Sequence, residues 1–185
     1  MLTDILYLLA VLSLLIFLIW ASIYIISLII SWFRGAPYVA TKTEDYKRIL
    51  HEIVPKRGTY FLEVGCGDGR VLRYAAQTYG VRGKGVDINP IILLKGKFLT
   101  YWQKLRNISF VNEDVKMTDF SGADYIYIFL FPKLVETLKN KLLTKTKQDV
   151  TIIAHGFQIS YLRKYQDKVL EGKTFKTYIY KISPR

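Results

Sequence analysis

The chain has little of what builds disulfide or metal frameworks: one cysteine, Cys66, and two histidines, His51 and His155, in 185 residues. A single thiol cannot close an intramolecular disulfide, and no His or Cys cluster has metal-ligand spacing, so neither a disulfide scaffold nor a metal centre is expected. Internal repeats, low-complexity tracts and long linkers are also missing. Acidic side chains are few, 15 against 27 basic ones, for a net charge of +12. Between Ile5 and Phe33 there is no charged residue at all.

That uncharged stretch holds 29 residues, of which 19 are Leu, Ile, Val or Phe. As a helix it would be roughly 43 Å long, longer than the ~30 Å hydrocarbon core, so it can span a bilayer with tilt or with one end among the headgroups. A cleaved signal peptide would carry a basic leader and a shorter apolar core, whereas Asp4 is the only charged side chain before Arg34. A buried core helix would be shorter and would show a polar face. Residues 5–33 are therefore read as a transmembrane anchor. Arg34, Lys42, Lys47 and Arg48 follow the span and no basic residue precedes it, so the C-terminal part is expected on the cytoplasmic side, or in the matrix if the membrane is mitochondrial.

Residues 34–185 carry all 27 basic side chains and 14 of the acidic ones. The basic groups are spread along the chain without an RNA-reading signature, which argues against a nucleic-acid partner. A domain tethered to an anionic leaflet gains about 1 kcal/mol per basic group close to it, and that is the simpler origin of the charge.

The most informative stretch is Tyr60 to Arg70. An apolar run with one acid, Glu63, reads as a buried parallel strand and then breaks into Gly65, Gly67 and Gly69. Alternate glycines permit a sharp turn and close approach to a ligand. Arg70 to Tyr79 has helical apolar spacing, and Gly80 is a natural stop. A dinucleotide fingerprint needs a glycine where Arg70 stands, and a P-loop needs a Lys-Ser or Lys-Thr that is absent here. A second strand, Arg82 to Asp87, ends in a carboxylate about twenty residues after the loop, where open α/β sheets bind a ribose. Pro90 then suits the first turn of a helix reaching Leu105.

Upstream, Thr43 is expected to cap a helix from Glu44 to Ile53. Downstream, Ile108–Val111 reads as a third strand before Asp114, and Ala123–Phe131 as a fourth that is apolar on both faces. A helix over 133–143, a fifth strand over 150–155, a mostly helical 159–166 and a hairpin over 168–182 complete the order. The expected domains are the anchor at 5–33, a linker with pre-domain helix at 34–58, and an α/β domain at 59–185. Cys66, inside the glycine loop, reads as a small filler rather than a nucleophile.

The run acid-x-Gly-x-Gly-x-Gly with Asp87 resembles motif I of the class I S-adenosylmethionine-dependent methyltransferases, a Rossmann-like seven-stranded sheet with helices on both faces. More narrowly, Pro37-Tyr-Val-Ala-Thr41, Gly65–Arg70, Val86–Pro90, Phe129–Pro132 and Ala154–Phe157 resemble a group of small membrane-anchored enzymes. Its eukaryotic members methylate lysines of inner-mitochondrial-membrane proteins such as the adenine nucleotide translocase and the ATP synthase c-subunit. Two departures stand out: Ala40 replaces a proline, and 154–157 lacks an Arg-Phe-Pro.

The resemblance implies S-adenosylmethionine as methyl donor. It implies Gly65, Cys66, Gly67 and Gly69 at its methionine part and Glu63 fixing the loop. Asp87 with Ile88 would hold the ribose, Asp114 the adenine, and Tyr38 and Thr41 would cover the donor. Phe131, Pro132, His155 and Phe157 would border an acceptor pocket. No catalytic base is assigned, since His155 reads equally as a general base and as a hydrogen-bonded strand-end residue. Three functions stay open: lysine methylation of a membrane-associated protein, methylation of a lipid or quinone, and a non-catalytic module that binds the donor at the membrane.

Overall fold

Runs of β-branched and aromatic residues become strands where both faces can be covered. In the computed structural model, which describes residues 1–33 and 39–182, these are β1 (Tyr60–Val64), β2 (Arg82–Asp87), β3 (Ile108–Asn112), β4 (Tyr125–Ile128), β5 (Val150–His155), β6 (Gln166–Leu170) and β7 (Thr177–Ile182). The helices are α1 (Leu2–Phe33), α2 (Thr43–Ile53), α3 (Arg70–Tyr79), α4 (Pro90–Trp102), α5 (Pro132–Thr137) and α6 (Lys139–Thr144), with a 3-10 helix at Ser160–Tyr165. One seven-stranded sheet runs in the order β3-β2-β1-β4-β5-β7-β6, parallel except for β7, which is antiparallel to both its neighbours.

Alternation along each strand sorts the core into two layers. Phe61, Tyr127 and Ile153 face α2 and α3, packing with Ile49, Leu50, Val71 and Leu72. Leu62, Ile126 and Ile152 face the other side, packing with Val135, Leu138, Leu142 and Leu162. Helices thus cover both faces, as expected for this fold class. The order reverses at β1, which pairs with β2 on one side and β4 on the other. Open α/β sheets bind ligands at such a reversal, beyond the carboxyl ends of the strands.

Several expected boundaries move, for physical reasons. The helix before the sheet starts at Thr43 itself; its N-cap is Lys42, in extended conformation and without a side-chain cap bond. The ladder of β4 ends at Ile128, because its partner β1 turns away at Gly65 and leaves Phe129–Phe131 unpaired on that side. The helix expected over 133–143 is two short ones joined at buried Leu138. In the terminal hairpin, expected to pivot on Glu171-Gly172-Lys173, all of 171–176 form the connection.

α1 is 32 residues long, and Leu2–Ile26 is apolar and long enough to cross a membrane. Its described side chains are exposed except Ala21, which is half-buried.

Candidate active site

The glycine loop is stitched to the neighbouring strand. The amides of Gly65 and Cys66 both donate to the Val86 carbonyl, at 2.8 and 2.9 Å. At Gly65 (φ +71°) a Cβ would lie 2.5 Å from Leu130 Cδ2, and at Gly69 (φ +65°) 2.0 Å from Phe110 Cε1. Positive φ and these contacts together require glycine. Glu63 fixes the loop's exit, since its Oε2 accepts from the Leu72 amide at 3.0 Å in the first turn of α3. Burial pushes this carboxyl up to about 8 against the opposing pull of that bond, so it is largely protonated at neutral pH. Cys66 is buried, and burial drives its thiol far above the ordinary range, which fits a filler and not a nucleophile.

Asp87 closes the loop from β2. Its Oδ2 accepts from the Gly67 amide and its Oδ1 from the Asn89 amide, both at 2.8 Å. Burial raises the carboxyl while these bonds pull the other way. A carboxylate has about four acceptor positions, so capacity remains for a ligand diol. Asn89 in turn caps α4, its Oδ1 accepting from Ile91 at 3.1 Å and Ile92 at 3.3 Å.

Two further residues were not singled out from the sequence. Asp68, between two glycines, is buried and takes Arg70 in a forked pair at 3.0 and 2.9 Å, with Lys95 at 3.5 Å. Burial works against its ionisation, but Arg70, Lys95 and Arg73 outweigh it and hold the carboxyl below its usual value. Arg70 also reaches the Thr41 carbonyl at 3.4 Å, tying the loop to the pre-domain segment. Tyr127 is fully buried and shares a 3.1 Å hydrogen bond with the Thr41 hydroxyl. An acid two residues before a glycine-loop arginine was the available signal for Asp68. Nothing local marks Tyr127.

These groups bound one cleft of about 550 Å³, counted out to bulk solvent. Glu63, Gly65, Cys66, Gly67, Asp87 and Thr41 all line it, joined by Asp68, Arg70, Ile92, Tyr127, Phe129 and Leu130. Backbone that can approach a ligand, a carboxylate with spare acceptor sites and an apolar wall suit an adenosyl amino acid. Gly69 sits just behind the lining, as the N-cap of α3. Ile88 and Asp114 are not on the wall; the Asp114 carboxylate accepts from the Lys116 amide at 2.9 Å in a local turn. Tyr38 lies outside the described residues.

A second cavity of about 390 Å³ opens beyond the ends of β4 and β5, lined by Pro132, His155, Phe157, Ile159, Glu136 and Tyr161 among others. Leu130 is part of both walls. Phe131 does not line it but stands at 6.0 Å, ring centre to ring centre, from Phe157. His155 is 2% exposed, its Nδ1 is 2.8 Å from the Thr177 hydroxyl, and Phe129 stacks edge-on at 4.7 Å. Burial lowers it to about 4, with Asp45 opposing and Arg48 adding to the effect. It is a neutral core histidine at physiological pH and too weak a base to hold a proton taken from an amine.

Solved methyltransferase structures share this arrangement. A solved structure described as an RNA methyltransferase from Salinibacter ruber, in complex with S-adenosyl-L-homocysteine, superposes with TM-score 0.74 at 23% identity over 80% of this chain and 95% of that one. A precorrin-6y C5,15-methyltransferase from Geobacter metallireducens GS-15 matches with TM-score 0.68 at 15% identity, over 81% and 93%. At these identities the likeness is one of fold. In sequence, a protein-lysine N-methyltransferase from Saccharolobus islandicus (strain REY15A) is 29% identical over 158 residues, 82% of this chain and 97% of that protein. The family model described as the ANTKMT methyltransferase domain matches residues 63–166, from the buried glutamate of β1 to the start of β6. With more than half its length inside that match, the chain belongs to the ANTKMT methyltransferase family and is a class I methyltransferase that uses S-adenosylmethionine.

Proposed function

We propose that the chain is a membrane-anchored protein-lysine N-methyltransferase. The observation that carries the reading is the pairing of the two cavities, with a donor cleft and an aromatic pocket sharing Leu130 as a common wall. Bound in the cleft, S-adenosylmethionine supplies a sulfonium-activated methyl group. The protein then has to position an acceptor in line and present it unprotonated. A lysine ammonium, with pKa near 10.4, loses its proton more readily when desolvated. Pro132, Phe157 and Tyr161 supply such apolar walls, and Glu136 at the rim supplies a negative charge that attracts the ammonium before it enters. His155, neutral and hydrogen-bonded to Thr177, orients the wall and does not take the acceptor's proton. On the donor side, Gly65, Gly67 and Gly69 let the backbone approach the methionine part, while Asp87, with Ile88 beside it, takes the ribose hydroxyls. Glu63 and Cys66 hold the loop, and Thr41 covers the donor. Asp114, whose carboxylate accepts the Lys116 amide and keeps further acceptor positions, takes the adenine amine.

The assignment of lysine draws on the name of the Saccharolobus relative, which aligns over nearly its whole length. The domain plan is anchor 5–33, linker and pre-domain helix 34–58, and methyltransferase domain 59–185, with the domain on the cytoplasmic side and a membrane-associated protein as substrate. Incubating the chain in its own membranes with methyl-labelled S-adenosylmethionine, followed by organic extraction, tests it. Label staying with protein supports the reading; label extracted with lipid or quinone overturns it.

A further inference from the structure

The helix that leaves the donor cleft has an apolar face on each side, and the sheet covers only one. Ile92, Leu93, Gly96 and Thr100 of α4 are buried. On the opposite side Leu94, Phe98, Tyr101 and Trp102, at spacings that form one helical stripe, are 59, 62, 83 and 75% exposed. The Phe98 and Trp102 rings lie 6.4 Å apart. Other exposed large apolar residues of the described 39–182 segment, such as Val54, Met117 and Leu143, are scattered singly, so the stripe on α4 is the concentrated patch. Basic residues surround it: Lys95, Lys97, Lys104 and Arg106 are all exposed, and there is no Asp or Glu from residue 88 to 112.

We infer that this face of α4 is a second membrane contact, lying in the headgroup region of an anionic bilayer. Trp and Tyr favour that depth, where ring and polar tip are both accommodated, Phe and Leu sink toward the acyl boundary, and lysine and arginine find lipid phosphates there. The inference rests on the reading of α1 as an anchor. Residues 34–42 separate α1 from α2, a connection of at most ~32 Å, so the domain cannot leave the surface it is tethered to. α4 is about 20 Å long and Ile92 near its start lines the donor cleft. Docking the stripe holds the cleft within that distance of the headgroups, where side chains emerging from a membrane protein can reach it, and selects against acceptors free in solution.

The chain has three tryptophans, so a W20F/W32F variant leaves Trp102 as the sole reporter. The full-length variant is reconstituted into phosphatidylcholine/phosphatidylglycerol vesicles with brominated acyl chains and floated through alkaline carbonate. It is expected to float and to lose about half or more of its Trp102 emission relative to unbrominated vesicles, as a ring at the acyl boundary must. Quenching should fall severalfold in pure phosphatidylcholine and in a K97E/K104E/R106E background. Flotation without quenching overturns the docking of α4 while leaving the anchor intact; failure to float overturns both. If Trp102 is shielded from aqueous iodide yet not reached by bromine, protein and not lipid covers the face, and the inference also falls.

Discussion

The two cavities that meet at Leu130 are built in opposite ways. The donor side is polar and pinned by backbone: Asp87 accepts two amides, Glu63 accepts one, and the loop amides bond to β2. The acceptor side is aromatic, with its one buried histidine held by a threonine hydroxyl and neighbouring rings. A fixed polar cradle suits a donor that never changes, whereas an apolar wall suits a nucleophile that must lose water and a proton. Each side therefore has its own failure mode.

The contrast is sharpest in pH dependence, because each side buries an ionisable group in its neutral form. The folded-state value of Glu63 is raised from 4.5 to about 8, so its contribution to stability is complete below 4.5 and lost as pH rises to 8. His155 is lowered from 6.5 to about 4, so its contribution is intact above 6.5 and lost as pH falls to 4. At about 1.4 kcal/mol per pH unit, the upper bounds are roughly 5 kcal/mol for Glu63 and roughly 3–4 kcal/mol for His155. Chemical denaturation across pH 4–9 is expected to show Glu63→Gln flattening the alkaline limb and His155→Gln the acid limb. Parallel flattening by both would break the comparison.

Backbone substitution comes next. Gly69→Ala places a methyl group against the buried Phe110 ring at positive φ, for an expected loss of about 2–4 kcal/mol in stability, read by thermal unfolding. Asp87→Ala removes a charged acceptor from two amides and from the ribose, and should cost about 100-fold in donor affinity by calorimetry, with methyl transfer lost in proportion. The smallest effect belongs to the acceptor wall. Phe157→Ala is expected to raise the acceptor KM about tenfold while leaving donor affinity unchanged. A matching loss of donor affinity would mean that the two cavities do not act separately.

The same asymmetry decided what could be read from the sequence. The donor side is local: Glu63, the three glycines and Asp87 fall within one strand-loop-helix-strand unit, and their types and spacing mark the loop directly. α3, β2 and β5 matched their expected bounds for the same reason, each being closed by a local signal: Gly80, the turn before Pro90, and Gly156. What could not be read depends on long-range partners. Tyr127 joins the cleft through Thr41, 86 positions away, and the early end of β4 follows from where β1 turns. His155 carries no sequence signal that separates a base from a core residue; the Thr177 hydroxyl and the rings around it do. Asp114 follows the third strand, which ends at Asn112, yet its carboxylate serves a turn that only the fold reveals.

The most direct test of the account follows the methyl group to its atom. Membranes containing the chain are incubated with labelled S-adenosylmethionine, the delipidated protein is hydrolysed, and the amino acids are separated. The account predicts labelled methyllysine that disappears with Asp87→Ala. Label confined to the organic extract, or absent from lysine in the hydrolysate, would contradict it.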